Sequence, residues 1–326
     1  MILAGDIGAT KTIFALYRKV SGRLELVREE IFKSQEFPQF EQILTEFLAH
    51  SGQVQIKTIC LGVAGPVRDG HCKTTNLPWI LDEQDLSKAF RVKSVRLLND
   101  LEAMAYGMLF VSPREMVDLN PGIPPQKNAN IAVIAAGTGL GEAMLCWDGR
   151  AYFPVASEGG HVDFAPQTDQ EIDLLRFLRS EYGHVSYERI LSGPGLFNIY
   201  RFLRDTGFAP ESDWLREKLQ NNDPGPTITQ IGLTEGDKLC TQTLQLFTSI
   251  YGAEAGNLAL KTMALGGIYV GGGIAAHILD KLKDGAFTQA FWNKGRYTDL
   301  LKKIPVKVVL DPRAGLMGAA HYTLRL

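Results

Sequence analysis

The sequence predicts an α/β protein made of two α/β domains flanking a central cleft, and two observations carry that expectation. The chain opens strand, strand, strand, helix, strand, helix, strand, helix, the order expected when helices cover a sheet. An apolar strand, a Gly-rich turn and a second apolar strand then occur twice, as AGDIGATKTIFALYR near the start and as ANIAVIAAGTGLGEAMLCWDG from near residue 130. Two such hairpins, alike in layout though hardly in identity, imply a duplicated unit and two half-molecules facing each other.

Each element has a local reason. ILAGDI and TIFALYR are apolar runs of strand length, and RLELVREEIF alternates as a half-exposed strand does. EFPQFEQILTEFLAH places Phe40, Ile43, Leu44, Phe47 and Leu48 at helical spacing, and TICLGVAG returns as a short buried strand. Between 169 and 263 the pattern turns helical. QEIDLLRFLRSEYG and GLFNIYRFLRDTG both end in Gly, as helices often do. TEGDKLCTQTLQLFTSIYGAEAGNLALKTM reads as one long helix with a Thr-x-x-Asp start, close to a capping box. Residues 207–232, rich in Pro, Asn, Asp and Gly, read as a surface excursion. The chain closes with a strand (GIYVGGG), helices, a strand (PVKVVL) and a last helix, AGLMGAAHYTL.

Composition narrows the function classes. With 326 residues, 45% hydrophobic and 21% charged, the chain has material for a large core. Its 34 basic and 36 acidic side chains are interspersed, so no field gathers nucleic acid or anionic lipid, and a small-molecule partner is expected. MILAGDIGATKT has no basic segment before an apolar run, and no stretch reaches the roughly 18 apolar residues of a spanning helix, so the expected location is cytoplasmic. Cys60, Cys72, Cys146 and Cys240 are too scattered for a Cys-x-x-Cys zinc site or a disulfide framework.

Glycine turns follow apolar runs at 5–10 (GDIGAT), 62–66, 137–141 (GTGLG) and 271–273 (GGG). Such turns let backbone N–H groups approach phosphate oxygens, though each also serves as a bare tight hairpin. The P-loop pattern Gly-x4-Gly-Lys-Ser/Thr is absent, and GTGLG runs into a strand rather than a helix, which disfavours P-loop NTPases and nicotinamide dehydrogenases. Paired turns containing Gly8 and Thr10, and Gly137, Thr138 and Gly139, fit a nucleotide held between halves. Asp6 either satisfies its own turn or holds a hydrated Mg2+ facing the phosphates.

VRLLNDLEA raises a sharper question, because Asn99 and Asp100 end a buried strand where a helix begins. Asp100 either caps that helix or is placed to take a proton. SEGGHVDFAP sets Glu158 and His161 around two glycines that break the helix a di-iron Glu-x-x-His site would need. A carboxylate and an imidazole on a loop suit a polyhydroxylated ligand instead, and Asn99, Glu158, His161 and Glu188 supply the donors and acceptors to ring a sugar. The bland reading of Glu188 is a solvated residue before a helix.

GDIGATKT, TTNLPW, LLNDLEAMAYG, AAGTGLGEA, SEGGHVDFAP, YERILSGPGLFNIY and GGIYVGGGIA occur in the order and spacing of the bacterial glucokinases of the non-ROK type. The resemblance spans essentially the whole chain. The ROK sugar kinases share the fold but carry a cysteine-rich zinc motif after their histidine, whereas His161 is followed by VDFAPQTDQE. The resemblance implies an actin-like (ribonuclease H-like) ATPase fold, with residues 1–110 plus 312–326 as the small domain and 111–311 as the large one. It also implies ATP with Mg2+ and phosphorylation of the 6-hydroxyl of glucose. Asp100 then matches the catalytic base, Asn99, Glu158, His161 and Glu188 match the sugar ligands, and Gly271, Gly272 and Gly273 lie where adenosine is expected. Ala9-Thr10-Lys11 departs from the usual Gly-Thr-Asn. A homodimer is compatible with the family. The rival readings are a kinase for another hexose and a sugar-responsive regulator that has lost turnover.

Overall fold

A computed structural model describes residues 1–52, 54–234 and 236–326. The chain begins with β1 (Ile2–Ile7), β2 (Lys11–Val20), β3 (Arg23–Lys33), α1 (Phe40–His50) and β4 (Thr58–Val63). Three short strands follow, β5 (Val67–Arg68), β6 (His71–Lys73) and β7 (Ile80–Asp82), then α2 (Glu83–Phe90), β8 (Ser94–Asn99) and α3 (Asp100–Gly107). Next come β9 (Met116–Asp118), β10 (Ile131–Ala136), β11 (Leu140–Trp147) and β12 (Tyr152–Ala156). A helical stretch holds α4 (Asp169–Tyr182), α5 (Gly193–Asp205), α6 (Asp213–Asn221), α7 (Pro224–Leu233) and α8 (Lys238–Thr262). The chain finishes with β13 (Gly267–Gly271), α9 (Gly272–His277), α10 (Leu279–Lys283), α11 (Ala286–Trp292), α12 (Thr298–Leu301), β14 (Val306–Val309) and α13 (Ala314–Tyr322).

Two compact units result, one of Met1–Pro113, Arg150–Ala156 and Asp311–Leu326, the other of Arg114–Gly149 and Ser157–Leu310. In the first, the sheet runs β3-β2-β1-β4-β8, with β1 antiparallel to β2 and parallel to β4, and β4 parallel to β8. In the second, the order β11-β10-β13-β14-β9 repeats that logic: β10 is antiparallel to β11 and parallel to β13, which is parallel to β14. The duplicated hairpin legible in the sequence is therefore a duplicated topology, and each hairpin supplies the strand next to which parallel strands are added.

The strands take their places by burial. IAVIAA of β10 is buried at every position, which suits a central strand covered on both faces. β3 alternates and lies at the sheet edge, with Leu26 and Ile31 exposed. Phe14, Phe32, Phe40, Phe47 and Trp79 build the first unit's core in mostly edge-to-face pairs. A second layer of small residues (Ala4, Ala15, Ala103, Ala319, Ala320) lets helices approach that sheet closely. At its tightest point α3 meets α13 backbone to backbone: a Cβ on Gly318 would overlap the Ala103 carbonyl, and one on Gly107 would overlap that of Ala314. The second unit's core centres on α8, whose Leu244, Phe247, Ile250 and Tyr251 are buried.

Residues 207–232 are not a surface excursion. They form α6 and α7, with Leu215, Leu219, Ile228 and Ile231 in the core. The Pro-Gly content that reads as loop is a helix start: Asp223 caps α7 through the Gly225 N–H, and Pro224 takes the first turn, where no N–H is needed. The long helix also starts differently from the Thr-x-x-Asp reading. Thr234 ends α7, and Asp237 is the cap of α8, accepting from the N–H groups of Leu239 and Cys240.

Candidate active site

In the first unit the Asn99-Asp100 pair sits where β8 gives way to α3. The cap is Asn99, not Asp100. The Asn99 carbonyl oxygen Oδ1 accepts from the Leu101 N–H (2.9 Å) and from the Glu102 backbone N–H, while Glu102 Oε2 accepts from the Asn99 N–H (2.9 Å), a complete capping box. Asn99 Nδ2 also donates to the Gly65 carbonyl at 3.1 Å. An amide has two N–H bonds and two lone pairs; the helix start takes both lone pairs, and Asn99 Nδ2 retains one N–H for a ligand. Capping duty thus falls on its neighbour, and Asp100, first in the helix, accepts from the Leu101 N–H at 2.9 Å through Oδ1. The backbone packing of α13 on α3 fixes the helix that carries it.

The turn between β1 and β2 is tied to Ser34, a residue the sequence reading passed over. The Gly8 N–H donates to the Lys11 carbonyl, buried Ser34 Oγ donates to the Gly8 carbonyl at 2.7 Å, and the Ser34 N–H donates to the Thr10 carbonyl at 3.1 Å. Thr10 and Lys11 are exposed at the tip. Half-buried Asp6 lies at the end of β1, and a Cβ on Gly315 would stand 3.2 Å from its Oδ2. Loss of water pushes the Asp6 carboxyl up to about 6, partly offset by Lys11. A lone desolvated carboxylate suits Mg2+, which is commonly held by one or two carboxylates plus substrate phosphates. No group of three or more His, Cys, Asp or Glu able to hold a metal unaided occurs among the described residues.

In the second unit, Glu158, Gly159, Gly160 and His161 form a single tight turn in which His161 N–H donates to the Glu158 carbonyl at 3.0 Å. Gly160 is required by close approach, because a Cβ there would overlap the Leu140 carbonyl. Glu158 and His161 are exposed at the turn. Glu188, in the 187–189 turn, reaches both neighbours: Oε2 accepts from the Leu140 N–H at 3.0 Å, and Oε1 lies 3.9 Å from His161 Nδ1. Glu188 is therefore a tethered residue, not a loosely solvated one.

Gly137, Thr138 and Gly139 form the turn between β10 and β11, closed by the Gly137 N–H on the Gly139 carbonyl (2.8 Å). The Gly193 N–H donates to the Gly137 carbonyl at 2.8 Å, fastening the start of α5 to the same turn. Gly271 ends β13 and Gly272 opens α9 at φ 83°, where a Cβ would overlap the Ala136 carbonyl. A cavity of about 910 Å3 joins these elements, with Gly137, Thr138 and Gly273 in its lining. Phe197, Pro224, Pro226 and Ile274 give it apolar walls, and Asp223, Thr229, Gln230 and His277 add polar groups. The α7 portion of that wall lies in the segment misread as surface. Its signal in the sequence was Asp-Pro-Gly-Pro, a cap followed by proline.

A fold with two topologically matched α/β units, a glycine turn in each hairpin and a cavity with apolar walls beside one of them defines an ATP-dependent sugar kinase of the actin-like ATPase class. A glucokinase from an Antarctic psychrotroph superposes with a TM-score of 0.87 at 30% identity, covering 100% of this chain and 99% of that one. A ROK-family glucokinase from Streptomyces griseus in complex with glucose and AMPPNP shares the fold with a TM-score of 0.65 at 21% identity, covering 98% of each chain. The Nostoc punctiforme (strain ATCC 29133 / PCC 73102) glucokinase is 40% identical over 340 residues, spanning 100% of this chain and 99% of its own. The glucokinase family model matches residues 3–326, and the chain belongs to that family.

Proposed function

We propose that the chain transfers the γ-phosphoryl group of ATP to the 6-hydroxyl of glucose, giving glucose 6-phosphate and ADP. Asp100 is the general base. Asn99, Glu158, His161 and Glu188 hold the sugar hydroxyls, and the turns with Gly8 and Thr10 and with Gly137, Thr138 and Gly139 hold phosphate. Gly271, Gly272 and Gly273 border the adenosine. Asp6 is the residue that would hold Mg2+ through its water shell, and the ion would neutralise phosphate charge as it passes to the acceptor.

The observation that carries this reading is Glu188. One carboxylate joins the glycine turn at Leu140 to the imidazole of His161, so the phosphate-side turn and the sugar-side turn share a fixed residue. In a loose phosphoryl-transfer transition state the nucleophile loses its proton late. Asp100 then orients the hydroxyl and accepts the proton as the P–O bond forms, while Asn99, locked by its capping box, prevents the pair from drifting. The 910 Å3 cavity supports a nucleotide as donor, since its apolar walls suit a flat heteroaromatic base and the Gly137 turn is part of its lining. A cytoplasmic homodimer is the matching assembly and location, to be checked by light scattering and cell fractionation.

The direct test is an ADP-release assay across glucose, mannose, fructose and amino sugars, with Asp100→Asn as control. Glucose is expected to give the highest kcat/KM. Turnover with none of the sugars would overturn the proposal.

A further inference from the structure

Beneath the 158–161 turn lies a pair of acids that no hydroxyl-binding or phosphate-binding role uses. Glu142 projects from β11 and is 2% exposed, and Glu254 on α8 is 0% exposed. The two side chains are in hydrogen-bonding contact. Glu254 accepts from Asn257 Nδ2 at 2.8 Å and from Lys261 Nζ at 3.1 Å, the surroundings of a carboxylate. Among the described residues no such donor to Glu142 is seen, and its Oε1 has no hydrogen-bond partner. Its Oε2 presses on Gly159, where even a Cβ would overlap it.

Two carboxylates in contact away from water do not both ionise, because their repulsion and lost hydration exceed what the neighbouring lysines return. The proton belongs on the member without donors, where an O–H can point to Glu254. We propose that Glu142 is a positioning residue for the sugar: as a neutral acid bonded to Glu254, it seats Gly159 so that Glu158 and His161 keep their aim. The proposal rests on the reading of the 158–161 turn as a glucose contact. The same network reaches the other sugar residue, because Tyr187, adjacent to Glu188, hydrogen-bonds Glu254 and accepts from Asn257 Nδ2 at 3.0 Å.

Burial and the Glu254 charge push the Glu142 carboxyl up to about 8, with Lys261 opposing. The ionisable groups around the pair are Lys261 and Tyr251 on α8, Tyr187 on the 187–189 turn and Lys294 after α11, which faces Glu254. Neither tyrosine titrates near neutrality, since burial raises both. Loss of the shared proton makes two buried anions, and Glu142 is driven from Glu254 towards the Gly159 backbone.

The test compares wild-type chain, Glu142→Gln and His161→Ala in steady-state assays from about pH 6.5 to pH 9.5, with KM for glucose separated from kcat. In the wild type KM for glucose is expected to rise roughly tenfold across that range while kcat changes less than about twofold. Glu142→Gln, whose amide can still donate to Glu254, is expected to match wild type near pH 7 and to stay flat above it. A wild-type KM that does not rise, or a Glu142→Gln profile that rises with it, overturns the proposal while the sugar reading stands, provided His161→Ala raises KM at every pH. A His161→Ala KM equal to wild type overturns both. The carbonyl stretch of a protonated carboxylic acid, present in the wild type and lost in Glu142→Gln, is a second readout independent of turnover, and its absence from the wild type also overturns the proposal.

Discussion

Leu140 donates its backbone N–H to Glu188 at 3.0 Å, and the other oxygen of that carboxylate stands 3.9 Å from the His161 ring. Removing the side chain therefore frees the glycine turn and takes away the carboxylate beside His161, the proposed sugar contact. Glu188→Ala is expected to raise KM for glucose and KM for ATP together. Glu188→Gln keeps an oxygen acceptor for Leu140 and should raise the glucose value alone. Steady-state titration of each substrate separates the two outcomes; an ATP value that ignores Glu188→Ala would show that the tether does not order the turn.

Asp100→Asn keeps size and hydrogen-bonding capacity and removes the ability to accept a proton. Turnover should fall by about two to four decades, the usual worth of a general base, with glucose affinity by calorimetry within a few-fold of wild type. Near-normal turnover would take Asp100 out of that role.

The capping box predicts a stability cost separable from chemistry. Glu102→Ala leaves the Asn99 N–H without its acceptor and is expected to cost about 0.5–2 kcal/mol in denaturant unfolding. Buried Gly318 predicts a larger one: in Gly318→Ala the new methyl group meets the Ala103 carbonyl, so α3 and α13 must part, at a cost typical of overpacking, about 1–3 kcal/mol or more. Since α3 carries Asp100, kcat should fall with it, whereas Glu102→Ala should affect kcat less. Equal stability of Gly318→Ala and wild type would mean the helices are not held by that contact.

Stability should also depend on pH through Glu142. Its carboxyl is raised from the ordinary 4.5 to about 8, so between these values the folded chain holds a proton that the unfolded chain has released. The contribution is complete below 4.5 and is lost as pH rises to 8, at up to about 1.4 kcal/mol per pH unit. Glu142→Gln removes that slope. Denaturation midpoints measured across the window would detect it, and identical slopes in the two proteins would contradict it.

Much of the fold was legible because its signals are local. The β1–β2 and β10–β11 hairpins announce themselves by apolar runs on either side of glycine, and α1 by the spacing of Phe40, Ile43, Leu44 and Phe47. The residues proposed for the site that lie on turns stand beside the same local signals. The α7 wall was not legible, because Pro-Gly-Pro reads as loop until the Asp223 cap is weighed with it. The letters Asn-Asp do not say which of the two caps α3, since either can serve and the backbone angle at Asn99 decides. Glu142 and Glu254 were invisible for a deeper reason: a charged letter within β11 or α8 looks like a solvent-facing position, and their contact is set by tertiary packing.

The α3–α13 contact has a consequence for biosynthesis. The helix that braces Asp100 is encoded after the whole of the second unit, so a nascent chain carrying every residue of β1 to α3 still lacks its brace on the ribosome. The first unit can close its small-residue layer only once Leu316, Ala319 and Ala320 have emerged. Translation order thus leaves the helix that carries Asp100 without its brace until every residue of the second unit has been made.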